Sequence, residues 1–384
     1  MNRSTPLRVA VVGGGVLGVS TAHQLARAGA DVVLVTESEL VSQASGRSLS
    51  WLNSAGVRSE HYHRLRMAAI DRYRTLFARN PDTGWLRFDG GLAWLAEDRA
   101  EELHRQHEHE LALGYDSHIL TPGQVARYVP GVDPAAIPLA GALWRPGEGW
   151  VDLPSLVRFL ARDLVEHGGR LVTNAGPARV VTDRGSVVGV RTERGESYTV
   201  EAALLATGAA VPRMLAELGM SLPDASPIDL LVATEPVPHE LTAVLNTPRA
   251  SLRPRPDGGL SVDAGWASAQ VTEDAAGRYG VADGVVEELL AEAARVLAGH
   301  PSLAPAWCGI GPKPIPGDGE PVLGQIDDIP GLYVAFTHSG ATLGLIAGEL
   351  LAYEIGQRAA HPMLADYNAR RFGRREPLLL DHLS

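Results

Sequence analysis

The chain has 384 residues, with 34 Lys and Arg against 45 Asp and Glu, a formal net charge of −11. That acidity argues against a nucleic-acid binder, which needs a basic face to displace counterions from phosphates. At 45% hydrophobic and 21% charged the composition is that of a folded globular chain, and at ~150 residues per domain the length points to two domains or one with an insertion.

A single cysteine, Cys308, rules out a disulfide framework and a cysteine-rich metal site, and it fits a reducing compartment, so a cytoplasmic location is expected. No run of ~20 uninterrupted apolar residues occurs, so no membrane span is expected. The apolar run 9–19 is broken by four glycines, unlike the core of a signal peptide.

In chain order, residues 7–12 (LRVAVV) form a continuous apolar run that reads as a strand buried on both faces of a parallel sheet. Residues 19–28 follow with helical spacing, Gly29 closes that helix, and residues 31–36 (DVVLVT) read as a second buried strand. Together they make a β-α-β unit. Residues 60–77 predict an amphipathic helix with Leu65, Ala68, Ala69 and Tyr73 on one face. Residues 85–96 predict a hairpin turning at Asp89, Gly90 and Gly91, and residues 99–113 and 121–128 predict charged surface helices. A helix is expected from about 152 to 167, then alternating strands at 170–173, 178–182, 187–192 and 197–200, and an apolar run at 202–206. Strands at 228–235 and 259–264, a helix at 285–297, a buried strand at 331–336 and a helix at 340–355 complete the series. The alternation implies a mixed α/β fold. A Rossmann-like nucleotide-binding domain from residues 1–84, 151–215 and 306–384 would carry an inserted, mostly antiparallel substrate domain from 85–150 and 216–305.

The chemistry begins at the first turn. Gly13-x-Gly15-x-x-Gly18 follows a strand and opens a helix, the context a dinucleotide fingerprint requires. Gly13 allows the tight turn, Gly15 lets backbone approach a pyrophosphate, and Gly18 lets helix and strand close up. Glu37, at the end of the second strand, is placed to accept hydrogen bonds from a ribose and disfavours a 2′-phosphate, which leaves NAD and FAD open. The histidines at 61 and 63 and at 104, 107 and 109 read as solvated helix faces rather than metal ligands, and no metal is expected.

Four segments resemble the FAD-dependent oxidoreductases of the D-amino-acid oxidase superfamily, which holds glycine oxidase and sarcosine oxidase. They are the fingerprint with Glu37, the loop Ala44-Ser45-Gly46-Arg47-Ser48, the strand end Leu204-Leu205-Ala206-Thr207-Gly208-Ala209, and the block 307–351 with Thr337-His338-Ser339-Gly340. The resemblance implies that FAD is bound by Gly13, Gly15, Val16, Leu17 and Gly18, by Glu37 and Ser38, and by Ala44, Ser45, Arg47, Leu49 and Ser50. It further implies Val180, Thr207 and Gly208, and a helix start at Ser339, Gly340, Ala341, Thr342 and Leu343 whose N–H groups face the flavin. A positive helix end there stabilises negative charge on the reduced ring. Trp51 and Asn53 fall where relatives line the flavin and substrate cavity, and His338 falls at the flavin edge as the candidate catalytic residue.

The chain departs from the resemblance at one point. In amino-acid oxidases of the superfamily a "G-x-R-P" arginine grips the substrate carboxylate, whereas here Gly311 stands at that place. The substrate should then lack a carboxylate or bind it by another group, Lys313 being the first candidate, and glycine and simple D-amino acids should be poor substrates. Cys308 is one residue out of register for the cysteine that ties flavin in sarcosine oxidase, and its bland reading is a small buried hydrophobe. Residues 48–51 hold no linking histidine, so FAD should be noncovalent. The expected activity is oxidation of a C–N bond of an amine, amino acid or related small molecule by hydride transfer to flavin, with oxygen or another acceptor completing the cycle. A flavoenzyme acting on a C–OH or C–C bond, a flavin-binding protein without turnover and a nicotinamide-only dehydrogenase are the alternatives. The sequence leaves the oligomeric state open.

Overall fold

The computed structural model describes residues 6–373. Its central layer is a six-stranded sheet in the order Val322–Gln325, Leu332–Phe336, Ala202–Leu205, Arg8–Val12, Asp31–Val35, Arg170–Val172. Arg8–Val12 pairs in parallel on both sides, with Val9 opposite Ala202 on one and Val32 on the other. Only the edge strand Val322–Gln325 runs antiparallel. The valine-rich runs suit this position, because alternate residues serve two separate cores. Val9 and Val11 pack under the helices Val16–Arg27, Leu153–Glu166 and Gly340–Gln357. Ala10 and Val12 face the other way, toward Val187 and Val190 of a three-stranded antiparallel sheet built from Ala178–Asp183, Ser186–Thr192 and Ser197–Thr199.

Helices Val16–Arg27 and Gly340–Gln357 cross closely because small residues meet there. A Cβ on Gly344 would stand 2.6 Å from Val16 Cγ2, and one on Gly348 2.2 Å from Ser20 Oγ. The crossing fixes the starts of both helices relative to each other, which matters because both open onto the same cavity.

The second layer is an eight-stranded sheet in the order Pro305–Pro312, Ile228–Thr234, Leu260–Asp263, Ser251–Pro254, Val244–Asn246, Gly91–Ala93, Ala142–Arg145, His118–Leu120. All its pairs are antiparallel except Val244–Asn246 with Gly91–Ala93. Helix Val285–Arg295 contributes Leu289, Leu290 and Ala293 to the core of this layer. A small sheet of Trp51–Leu52, Gly149–Val151 and Leu86–Arg87 lies where the chain passes between the layers.

Two expectations are corrected here. Residues 85–96 are no hairpin: Leu86–Arg87 pairs with Gly149–Val151, while Gly91–Ala93 joins the eight-stranded sheet. Gly90 between them has φ +86°, and a Cβ there would strike the Trp144 ring at 2.0 Å, so the turn is a step between sheets. The boundary at 306 also fails as a change of layer. Pro305–Pro312 runs along Ile228–Thr234 in the large sheet, and the chain returns to the six-stranded sheet only at Val322.

Candidate active site

A cavity of about 1210 Å³ is lined by the turns that follow the parallel strands and by residues of the large sheet. Those turns supply Gly13, Gly14 and Gly15 after Arg8–Val12, Glu37 and Ser38 after Asp31–Val35, Thr207 and Gly208 after Ala202–Leu205, and His338 to Thr342 after Leu332–Phe336. Ligands of open α/β sheets bind at such carboxyl ends.

At one end the wall is main chain. Gly13 has φ +120°, and a Cβ there would lie 2.3 Å from the Ala206 carbonyl oxygen. A Cβ on Gly18 would lie 2.0 Å from the Gly13 carbonyl oxygen, so this glycine serves the helix–strand contact and does not line the cavity. Gly15 meets only Ser45 Oγ, at 3.1 Å, and Val16 N–H donates to that hydroxyl at 3.0 Å. The Glu37 side chain is exposed and lines the cavity. Bare backbone at Gly15, a helix start and an acceptor carboxylate together fit the pyrophosphate and ribose of FAD.

At the other end the helix Gly340–Gln357 begins. The N–H groups of Gly340, Ala341 and Thr342 belong to its first turn, where no intrahelical acceptor exists, and all three residues line the cavity. Leu343 does not: its N–H donates to the Ser339 carbonyl at 2.8 Å and its side chain is fully buried. Val180 lines a smaller cavity with Arg179, Leu205 and Met214. Its neighbours Ala178 and Arg179 line the large cavity, but Val180 packs against the core that holds Leu205 and Leu215. The remaining predicted residues, namely Val16, Leu17, Ala44, Ser45, Arg47, Leu49, Ser50, Trp51, Asn53, Lys313, His338 and Ser339, all line the cavity.

One residue that the sequence reading missed holds this end together. Arg66 is 3% exposed and donates to the Asn53 carbonyl at 2.8 Å, to Asn53 Oδ1 at 3.0 Å, and to the hydroxyls of Tyr62, Ser339 and Thr342. It ties the strand Trp51–Leu52 and its exit to the helix start. Its signal was an arginine four residues after Tyr62 on the buried stripe of the helix Glu60–Arg79.

Beneath Trp51 lies a buried charged group. Arg145, fully buried, donates to both carboxylate oxygens of Glu110 at 2.8 and 2.9 Å and lies 3.9 Å from Glu148. Tyr115 donates to Glu148 Oε1 at 2.6 Å, and the Trp51 side chain reaches the same carboxyl. Burial pushes the Glu148 carboxyl up to about 7, against the pull of Arg145. His63 joins the periphery of this group, with Nδ1 2.9 Å from Ser54 Oγ, so it is buried rather than on a solvated face. His109 Nε2 likewise lies 2.9 Å from the Arg58 carbonyl oxygen. No group of three or more His, Cys, Asp or Glu able to hold a metal occurs among the described residues.

The charged residues around His338 are partly paired. Lys313 forms a 2.7 Å ion pair with Asp229, so its charge is already answered. Burial raises the nearby Asp263 carboxyl to about 6, against the Lys313 ammonium. The His338 side chain is exposed to the cavity, and desolvation there, with Lys313, Arg66 and Arg58, lowers its imidazole, which favours the neutral form. Arg47 makes two long bonds, to the Ser42 carbonyl and Gln43 Oε1, each 3.3 Å. Cys308 is exposed, not a buried hydrophobe as expected, because it lies on the strand Pro305–Pro312 at the sheet's outer end, and it does not line the cavity.

The family model DAO, FAD dependent oxidoreductase, matches residues 8–354. Glycine oxidase of Geobacillus kaustophilus is 28% identical, with 94% of this chain and 96% of the relative covered. An opine oxidase component of Rhizobium meliloti is 25% identical at the same coverages. The structure of L-amino acid deaminase from Proteus myxofaciens superposes with a TM-score of 0.82 at 18% identity, covering 97% of this chain and 94% of that one. Among the described residues no helix is long and apolar enough to cross a membrane.

Proposed function

This chain belongs to the DAO family of FAD-dependent oxidoreductases, and from that premise we propose an enzyme that oxidises the C–N bond of an amino acid or related amine with noncovalent FAD. The observation that carries the reading is one continuous cavity joining the bare turn at Gly15 and Glu37 to the helix start at Gly340 and the neutral imidazole of His338. FAD, when bound, supplies the acceptor for a hydride from the carbon bearing the nitrogen, leaving an imine that water hydrolyses.

The chain's own residues do the positioning. Gly13, Gly15 and the start of the helix Val16–Arg27 hold the pyrophosphate, and Glu37 takes the ribose hydroxyls. Gly340, Ala341 and Thr342 direct N–H groups at the end where negative charge develops, and Arg66 keeps that helix start in register with Asn53. His338, uncharged at neutral pH, orients a neutral amine by hydrogen bonding without repelling it or protonating it. An amine that binds deprotonated needs no protein base. Glycine oxidase and the opine oxidase component among the relatives support an amino-acid type of substrate. Oxygen or another acceptor reoxidises the cofactor, and the single cysteine supports a cytoplasmic setting.

The test is spectroscopic. The purified protein is yellow, acid or heat releases FAD into the supernatant, and anaerobic addition of an amino-acid and amine library bleaches the flavin bands with at least one member. Flavin that stays with the precipitated chain overturns the noncovalent assignment, and an unbleached spectrum across the library overturns the substrate class.

A further inference from the structure

Strand Pro305–Pro312 carries two glycines on one face, Gly309 and Gly311, and a single side chain lies across both. A Cβ on Gly309 would stand 2.8 Å from Arg47 Cγ and Cδ, and one on Gly311 would stand 2.3 Å from Arg47 Nη2. The guanidinium therefore occupies the volume that any side chain at 311 would need. It lines the cavity, and its bonds are two long ones to neutral oxygens, at 3.3 Å each. Arg47 has no carboxylate within ion-pair distance among the described residues, in a chain that is acidic overall. The other nearby cation, Lys313, is already held by Asp229 at 2.7 Å.

Four arginines of the cavity wall, at 47, 58, 66 and 213, thus bring positive charge that no ion pair answers among the described residues, Arg213 from the short helix that follows Ala202–Leu205. Arg66 spends its donors on Asn53, Ser339, Tyr62 and Thr342. Arg58 donates from Nε to the Ala55 carbonyl at 3.0 Å and stacks on Tyr62. Arg47 makes only the two long bonds from Nη1 and Nη2, which leave N–H donors over, and it alone of these lies across the open backbone of Gly309 and Gly311.

We propose that Arg47, laid across Gly309 and Gly311, is the anchor for the carboxylate of the substrate, which makes the substrate an amino acid or an N-substituted amino acid rather than a simple amine. The inference rests on the function proposed above. It also gives Gly311 a role: the residue is small so that an arginine from the loop after Asp31–Val35 can reach the cavity over it. The shared chemistry of Arg47 is an anion in the cavity, and that anion is either a substrate carboxylate or a phosphate of FAD. The experiment separates the two.

Holoenzyme is titrated with benzoate, a carboxylate without an amine, and with benzamide, while the flavin difference spectrum is recorded for wild type, Arg47→Leu and Gly311→Ala. In Gly311→Ala the new methyl contacts only the far end of the flexible Arg47 side chain, so the fold tolerates it while the guanidinium must move. Both variants are expected to keep FAD at one per chain and to bind benzoate about tenfold or more weakly than wild type, with benzamide unchanged. Benzoate affinity unchanged in Arg47→Leu overturns the proposal. Loss of FAD from Arg47→Leu with benzoate binding intact in the flavin-containing fraction overturns it in favour of a phosphate contact. A wild-type spectrum that no amine or amino acid bleaches refutes the oxidation itself, whatever the benzoate titration gives.

Discussion

At the turn around Gly13, Gly15 and Gly18 the cavity wall is main chain, whereas around His338 and Trp51 it is side chains held in place by other side chains. The first region meets its ligand with N–H groups and with space, and the close contacts behind it, 2.3 Å at Gly13 and 2.0 Å at Gly18, leave no room for a methyl. The second depends on charge: Arg66 on five neutral acceptors, Lys313 on Asp229, and Trp51 resting over Arg145, Glu110 and Glu148. A wall of backbone is specified by a few residues close in sequence. A wall of paired side chains is specified only when distant segments meet, so the two should fail differently when disturbed.

The largest effect is expected at the foundation of the charged end. Arg145→Leu leaves two buried carboxylates without their cation and should cost about 3–5 kcal/mol of stability, read as a lowered midpoint in chemical denaturation. Midpoints equal to wild type would show that the group is not buried in charged form. Next comes the backbone end. Gly18→Ala forces a methyl onto the Gly13 carbonyl and should cost about 1–3 kcal/mol along with FAD content, since the turn itself must shift. Gly15→Ala, by contrast, should fold normally and lose FAD, because its Cβ meets only Ser45 Oγ and otherwise enters the space of the pyrophosphate. If both variants lost stability equally, the division of labour among the three glycines would be wrong.

Glu37→Ala should weaken FAD by about 1.5–3 kcal/mol, measured by fluorescence titration, while thermal stability of the apoprotein stays put because the side chain is exposed. A different kind of effect concerns pH. Folding raises the Glu148 carboxyl from its ordinary 4.5 to about 7, so the folded state holds a proton that the unfolded chain gives up. That contribution is fully present below about pH 4.5 and is lost as pH rises through 7. Glu148→Gln cannot lose a proton, so its Tm should fall less than that of wild type between pH 5 and 8. Parallel Tm curves for the two proteins would contradict the assignment.

These contrasts also explain what the sequence made legible. The turn at residues 13–18 is readable because the three glycines fall at fixed spacing between a strand and a helix, although only Gly18 answers a neighbour within the turn; Gly13 meets Ala206 and Gly15 meets Ser45. The helix Glu60–Arg79 was readable as amphipathic, yet Arg66 on its buried stripe was passed over, because its acceptors at Asn53, Ser339 and Thr342 are brought by three separate segments. The step at Gly90 looked like a hairpin because turn residues do not say which sheet each flanking strand will join. Lys313 drew attention through its distance from Gly311, but its partner Asp229 lies on the adjacent strand, and only strand pairing reveals it. The loop around Arg47 points to the cofactor, whereas the approach of Arg47 to Gly311 is a tertiary fact.

Because the strand Arg8–Val12 sits between Asp31–Val35 and Ala202–Leu205, and Leu332–Phe336 lies one place further out, the β-α-β unit at 8–35 is completed only after residues more than 300 positions later have been made. Its helix Val16–Arg27 waits for Gly340–Gln357 to cover Val16 and Ser20. At synthesis rates of roughly 5–20 residues per second, that wait is on the order of tens of seconds. Throughout it the nascent N-terminal half displays unpaired strand edges and an uncovered apolar helix face, so the yield of finished enzyme depends on what shields the growing chain as well as on the stability of the final fold.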